Sequence, residues 1–216
     1  MIRPEIEGLY AITPDIADTA ILIQMTRHVL AGGARLVQYR NKMANAALRL
    51  EQAYSLATLC REFCVPLIIN DYVDLAAEVD SDGVHLGLDD ASIVDARRRL
   101  GSEKIIGASC YNKLEHAVEA ERQGADYVAF GAFFASRTKP GAAVASGNVL
   151  RCAKALLHVP IVGIGGITTR NAAELICEGA DALAVSNGVF SAPNIQSEAE
   201  IFARLFKQSG NSYSSA

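Results

Sequence analysis

Residues 123–131 read QGADYVAFG, and residues 178–186 read EGADALAVS. In both, a polar, helix-like stretch stops at Gly, Ala and Asp follow, and a short apolar run begins. Residues 31–40 (AGGARLVQYR) repeat the pattern with Arg35 in the Asp position, and residues 81–87 (SDGVHLG) carry a shortened form. Glycine after a helix supplies the left-handed residue that ends it. The apolar run is too short for a helix and reads as a buried parallel strand. The units recur about every 40–55 residues, the length of two strand–helix pairs.

Four further apolar runs fall between these units: GLYAIT (8–13), VPLIIN (65–70), KIIGASC (104–110) and VPIVGIGG (159–166). Helices are predicted over 16–31, 45–63, 71–79, 90–100, 112–123, 146–157, 169–178 and 197–208. Asn112 is expected to cap the fifth, and Thr168 or Thr169 the seventh. Strict alternation of strand and helix predicts an α/β fold, a single (β/α)8 TIM barrel over residues 1–208. The polar tail 209–216 is expected to be disordered. A doubly wound sheet gives the same alternation, because periodicity does not report closure.

Composition narrows the function. The 216 residues are 50% hydrophobic and 20% charged, enough for one well-buried core. A net charge of −4 without a basic stripe argues against a nucleic-acid partner. The one cationic run, Arg97 to Arg99, reads as a solvated helix face. The absence of a long apolar segment or a leader-like start argues against a membrane partner and predicts a cytoplasmic protein. Five scattered cysteines, an odd number, fit a reducing compartment and lack zinc-ligand spacing.

In a barrel of this type chemistry gathers at the C-terminal ends of the strands. The second strand ends in Gln38, Arg40 and Lys42, the third in Asn70 and Asp71, and the fourth leads to Asp89 and Asp90. The fifth ends in Ser109, the seventh in Gly165 and Gly166, and the eighth in Val185 and Ser186. Side chains alternate along a strand, so Leu36, Gln38 and Arg40 share a face. An inward Arg40 is tolerable where the top layer meets water and an anion, or where a neighbouring strand supplies an acid. Asp71 and Asp90 each could cap a helix. Together, on neighbouring strands about 4.8 Å apart, they suit Mg²⁺, which takes one or two carboxylates and completes its shell with water and phosphate.

The connection from 131 to 146 holds Ser136, Arg137, Thr138 and Lys139, and loops of this length are commonly functional. GIGGIT (163–168) before a helix, with Val185 and Ser186, offers a second, metal-free phosphate site, as is usual after strands 7 and 8. Close helix–strand packing at the Gly165–Gly166 pair is the alternative there. His85, the one strand histidine, reads as a packed residue or one behind the site. Two anion sites on one rim suggest two phosphorylated substrates side by side.

The sequence resembles the thiamine-phosphate synthase (thiamine-phosphate pyrophosphorylase) family over nearly its whole length. The motifs QYRNK, LIINDYVDLA, DGVHLGLDD, IGAS, SRTKPGA, VGIGGIT and AVS stand in the family's order. The resemblance implies an enzyme, a transferase that joins an aminopyrimidine methyl diphosphate to the nitrogen of a thiazole phosphate and releases pyrophosphate, with Mg²⁺ as cofactor. It implies that Gln38, Tyr39, Arg40, Asn41 and Lys42 grip the pyrimidine diphosphate, with Asn70 touching the same substrate. Asp71 and Asp90 would hold the metal, and Ser109 would lie by the pyrimidine. Ser136, Arg137 and Thr138 would contact the thiazole phosphate, Lys139 the diphosphate, and Gly165, Val185 and Ser186 the thiazole phosphate again. Arg40, Lys139 and Ser109 would be the catalytic residues. The implied path is dissociative: the pyrimidine supports a transient carbocation and no protein base is required.

Three positions depart from the family: Ser136 for Thr, Leu88 where a polar residue is common, and Tyr39 for Leu on the face opposite Gln38 and Arg40. The rivals are a thiazole tautomerase on the same fold and a non-catalytic thiamine phosphate binder. Retention of Arg40, Lys42, Asp71, Asp90 and Lys139 favours the synthase.

Overall fold

In a computed structural model that describes residues 5–134 and 148–212, with side chains through 208, eight parallel strands close on themselves. They are β1 (Gly8–Ile12), β2 (Leu36–Tyr39), β3 (Leu67–Asn70), β4 (Gly83–Leu86), β5 (Ile105–Tyr111), β6 (Tyr127–Phe130), β7 (Ile161–Ile164) and β8 (Ala182–Val185). Each expected strand is present. Pairing of Tyr10 with Ala184 and of Ala11 with Val185 joins β1 to β8, so the sheet is a barrel and not doubly wound.

The helices are α1 (Thr19–Ala31), α2 (Ala46–Glu62), α3 (Val73–Glu78), α4 (Ile93–Leu100), α5 (Leu114–Arg122), α6 (Asn148–Leu156), α7 (Ala172–Cys177), α8 (Asn187–Phe190) and α9 (Ile195–Ser212). The short α8 was not expected from the sequence, and α9 runs four residues past the predicted helix end, to Ser212. No helix among the described residues is long and apolar enough to cross a membrane.

The recurring Gly and Asp have separate jobs. Gly33, Gly124 and Gly179 follow α1, α5 and α7 with φ of 95°, 92° and 106°, the left-handed turn from helix to strand. The Asp behind them is a clasp. Asp82 and Asp181 accept the N–H that opens the preceding strand, Leu67 and Ile161 at 2.8 Å, and Asp126 accepts that of Ile106, the second residue of its preceding strand, at 2.7 Å. Those N–H groups lie at the lower rim, where the ladder would otherwise leave them unpaired. Arg35, in the same position of the first unit, instead reaches Glu7 at 3.3 Å.

Arg97 completes one clasp: it pairs with Asp126 at 2.6 Å and is 23% exposed in its side chain, against 12% for Asp126. The arginine run is therefore solvated only at Arg98 and Arg99. Asp126→Ala removes the acceptor of Ile106 N–H and the carboxylate partner of Arg97, which keeps backbone carbonyls of Gly101, Lys104 and Gly124, and should cost about 3 kcal/mol. Urea denaturation will measure it; a loss below ~1 kcal/mol would show the clasp to be incidental.

Four of the helix starts are capped by side chains: Asp18 accepts from Ile21 N, Asn45 from Leu48 N, Ser92 from Asp95 N and Asn194 from Ser197 N. The predicted caps at α5 and α7 are corrected. β5 runs on to Tyr111 through a bulge, and Lys113 takes the N-cap position without a side-chain bond. α7 starts at Ala172, too late for the Thr168 or Thr169 side chain; Thr169 instead donates to Glu198 of α9 at 2.9 Å.

Two apolar layers result. An outer one fills the space between strands and helices, and an inner one, with Tyr10, Leu36, Ile68, Tyr127 and Val162, fills the barrel. Near the top of that filling the side chains turn polar.

Candidate active site

The upper end of β2 supplies the first cations. Leu36 lies in the inner layer, Gln38 above it is buried, and Arg40 follows on the same face. Thr13, just past β1, locks this end: its hydroxyl accepts from Arg40 N at 2.9 Å and donates to Arg40 O at 3.1 Å. Asp15 then accepts from Lys42 N at 2.8 Å and stands 3.6 Å from the Arg40 guanidinium. The acid beside Arg40 thus comes from the loop after β1. It leaves both cations at the rim.

Asp71 and Asp90 follow β3 and β4, which pair in register with Asn70 opposite His85. Neither caps a helix: Tyr72 precedes α3 and Ser92 caps α4. Asp71 has φ of 66°, and its N–H donates to His85 O at 2.9 Å, which aims the residue inward. Asp90 accepts from Gly87 N at 2.7 Å. Burial raises the Asp71 carboxyl above its usual range; the charge of Asp90 and a hydrogen bond to it push the same way, while Lys42 and Arg40 oppose. Two carboxylates and two cations therefore share one site. No group of three or more His, Cys, Asp or Glu with metal-site geometry exists among the described residues, so a cation here would have two protein carboxylates.

Across the rim, β7 is followed by Gly165, with φ of 102°, where a Cβ would lie 2.4 Å from Ala132 Cβ. Gly188, in the first turn of α8, has room for no side chain either: a Cβ would lie 2.2 Å from Ile167 O. The β7 loop, the residues after β6 and the start of α8 are thereby drawn together. Ser186 holds the turn through its carbonyl, which accepts from Val189 N and Phe190 N. The close neighbour of Gly165 is Ala132, past β6, and not a helix, and this packing brings backbone to the rim.

Between these two halves lies Ser109 of β5, 2.8 Å from His85 Nε2. His85 is buried, and burial lowers its pKa to about 4, with Asp90 pulling the other way. It lies behind the rim, as expected. A cavity of about 590 Å³ opens between α2 and α3 and shares Asp71 with the charged cluster.

Three expected ligands turn elsewhere. Tyr39 is buried in the outer layer and donates to Gln52 Oε1 at 2.9 Å, because it alternates with Gln38. The Asn41 amide is fully engaged: it donates to Ile16 O and Gln52 Oε1 and accepts from Met43 N and Ala44 N. It shapes the loop after β2, and its side-chain amide has no group left for a substrate. Val185 is buried in the outer layer, so only its backbone belongs to the rim. Ser136, Arg137, Thr138 and Lys139 lie outside the described residues. Leu88 is 54% exposed and makes no polar contact with the site.

Residues 9–189 match the family profile of thiamine monophosphate synthase. The chain belongs to the thiamine monophosphate synthase family. A thiamine-phosphate synthase of Nitrosospira multiformis is 62% identical over 95% of this chain and 88% of its own. One from Nitrosomonas eutropha is 55% identical over 95% of this chain and 97% of its own. Among solved structures, a thiamine phosphate pyrophosphorylase from Pyrococcus furiosus superposes with a TM-score of 0.85 at 35% identity, over 94% of this chain and 96% of that one. Membership of the synthase family therefore spans the barrel and both halves of the rim.

Sequence reasoning missed Thr13, Asp15, Tyr10 and Tyr127. The first two had a signal, since ITPD directly follows the first strand and the rim rule applies there too. The tyrosines had none: an inward-facing tyrosine reads as barrel filling until its hydroxyl partner is known.

Proposed function

We propose that this chain, as a thiamine-phosphate synthase, transfers the aminopyrimidine methyl group from its diphosphate to the nitrogen of a thiazole phosphate and releases pyrophosphate. The observation that carries the reading is the mutual approach of Asp71 and Asp90 beside Arg40 and Lys42. The carboxylate pair is electrostatically strained by itself, and its all-oxygen donor set suits Mg²⁺, the cofactor we assign to it. The bound metal would neutralise charge on the diphosphate.

Arg40 and Lys42 offset the negative charge that grows on the departing diphosphate, and Asn70 borders the same group. Gln38 and Ser109 orient the pyrimidine from below. The backbone of Gly165, Val185 and Ser186 holds the thiazole phosphate at the far side. Ser136 to Lys139 extend both anion sites, by their match to the family motif. Holding two reactants in register supplies several kcal/mol of the barrier, on the order of 7 at the low end of the measured range. His85, neutral and beneath Ser109, takes no proton from substrate, in keeping with a path that needs no base.

The test is pyrophosphate release and thiamine phosphate formation with both substrates, with and without EDTA. We expect both products to appear together and EDTA to suppress them. Thiazole isomerisation without pyrophosphate would establish a tautomerase; binding without turnover would establish a carrier. Turnover untouched by EDTA would remove the metal assignment.

A further inference from the structure

The two cations at the end of β2 do not face the site unopposed. Asp15 stands beside them on the loop after β1, and it is tied in place. Its Oδ1 accepts from Lys42 N at 2.8 Å. The next carbonyl along the chain, Ile16 O, accepts from the Asn41 and Gln52 side chains at 2.8 and 2.9 Å. Both of those amide residues are buried, at 5% and 0% exposure. Pro14 restricts the backbone on the other side. An acid on an ordinary surface loop turns freely into water; this one is held against the rim.

The contact of Asp15 with Arg40 is of a different kind. Its Oδ2 lies 3.6 Å from a guanidinium nitrogen, beyond hydrogen-bond reach. The pair is an attraction between charges that uses up none of the arginine's donors. Among the described residues, the Arg40 side chain makes no hydrogen bond at all. Arg40 is instead placed through its main chain, by the Thr13 hydroxyl. A pair built for stability would close into two short, parallel hydrogen bonds. Here the acid offsets the charge of Arg40 and leaves its fork of N–H groups open to another anion.

We infer that Asp15 is a positioning residue that weakens the grip of Arg40 and Lys42 on diphosphate groups, and so lets pyrophosphate leave. The inference rests on the proposed release of pyrophosphate and adds how the site avoids being blocked by it. Inorganic pyrophosphate has one more ionisable oxygen than a diphosphate ester. A site that stabilises the departing group by charge therefore tends to hold the free product more tightly than the substrate. A fixed carboxylate behind the cations opposes both anions, and it opposes the more highly charged one more. Asp71 and Asp90 cannot do this once a metal is bound, because they would then be its ligands. Asp15 lies outside that pair and keeps its charge for Arg40.

Asp15→Asn tests this, because Asn keeps an oxygen for Lys42 N and loses only the charge. Inorganic pyrophosphate is titrated calorimetrically into the full chain at neutral pH with Mg²⁺ present. The variant should bind it roughly fivefold more tightly than the wild type, the effect of one charge across a partly wet rim, and the gain should shrink as salt is added. Thiazole phosphate, held across the rim, should bind both proteins alike. A residue that merely holds the loop together would give the opposite sign, since its loss would loosen both cations. Weaker or unchanged pyrophosphate binding in the folded variant would overturn the inference, as would a wild type that binds no pyrophosphate. If Asp15→Asn does not fold, Asp15→Ser, also uncharged and able to accept a hydrogen bond, is titrated in its place. Failure of both to fold would make the carboxylate a structural part of the rim and overturn the inference as well. The titration needs no turnover, so tighter pyrophosphate binding without thiamine phosphate formation would strike the proposed function alone.

Discussion

Asp71→Asn lowers turnover by about 100-fold or more while raising the melting temperature of the metal-free protein. The two effects share one cause. The Asp71 carboxyl is raised by burial and by Asp90, so its charged form is disfavoured in the folded chain. A raised carboxyl pKa makes the folded state lose stability as pH climbs through the titration, and the loss is absent below the unfolded pKa. At neutral pH the wild type therefore carries a cost that Asn, uncharged and nearly isosteric, removes. Asn also suits the backbone, because Asp71 sits at φ of 66°, a region that Asn and Asp tolerate best after Gly. A gain of about 2 °C is expected, fitting a chain of this size. Mg²⁺ should raise the melting temperature of the wild type at neutral pH and do less for the variant, with the difference fading below the carboxylate range. Calorimetry with and without Mg²⁺, beside steady-state kinetics, checks both. Near-wild-type turnover, or destabilisation of the metal-free variant, would break the link between the carboxylate conflict and the metal.

The same pair of residues shows what was legible in the sequence. Asp71 and Asp90 could be placed at neighbouring strand ends because the repeat of Gly, Asp and apolar run fixes strand order and alternation fixes faces. Closure itself was not readable, since it depends on β1 meeting β8 and no local pattern reports that. Side-chain direction was legible within a strand, which is why Gln38 was placed inward and Tyr39 opposite it. It failed just past the strand, where alternation no longer holds: Asn41 folds back onto the loop it starts. The caps failed for a related reason. A Thr or Asn near a helix start is a candidate, but a strand that overruns, as β5 does, moves the start. The acid beside Arg40 was foreseen in kind as one from a neighbouring strand, and it comes from the loop after β1 as Asp15.

Gly107→Ala should be strongly destabilising, through one buried ring. A Cβ at Gly107 would lie 2.0 Å from Tyr127 Cζ and 2.3 Å from its hydroxyl. The Tyr127 ring is fully buried among β1, β4 and β6 and cannot retreat without dragging His85 and Tyr10. Overpacking of this kind costs about 1–3 kcal/mol, and the upper end is expected because the clash is with the core of a rigid ring. The glycine of the IGAS motif is thus room for a phenol that must reach the barrel axis. Adding Tyr127→Ala to Gly107→Ala removes the clash, and urea denaturation should then show a double variant more stable than the sum of the two single losses predicts. Additive losses would mean that the methyl meets something other than Tyr127.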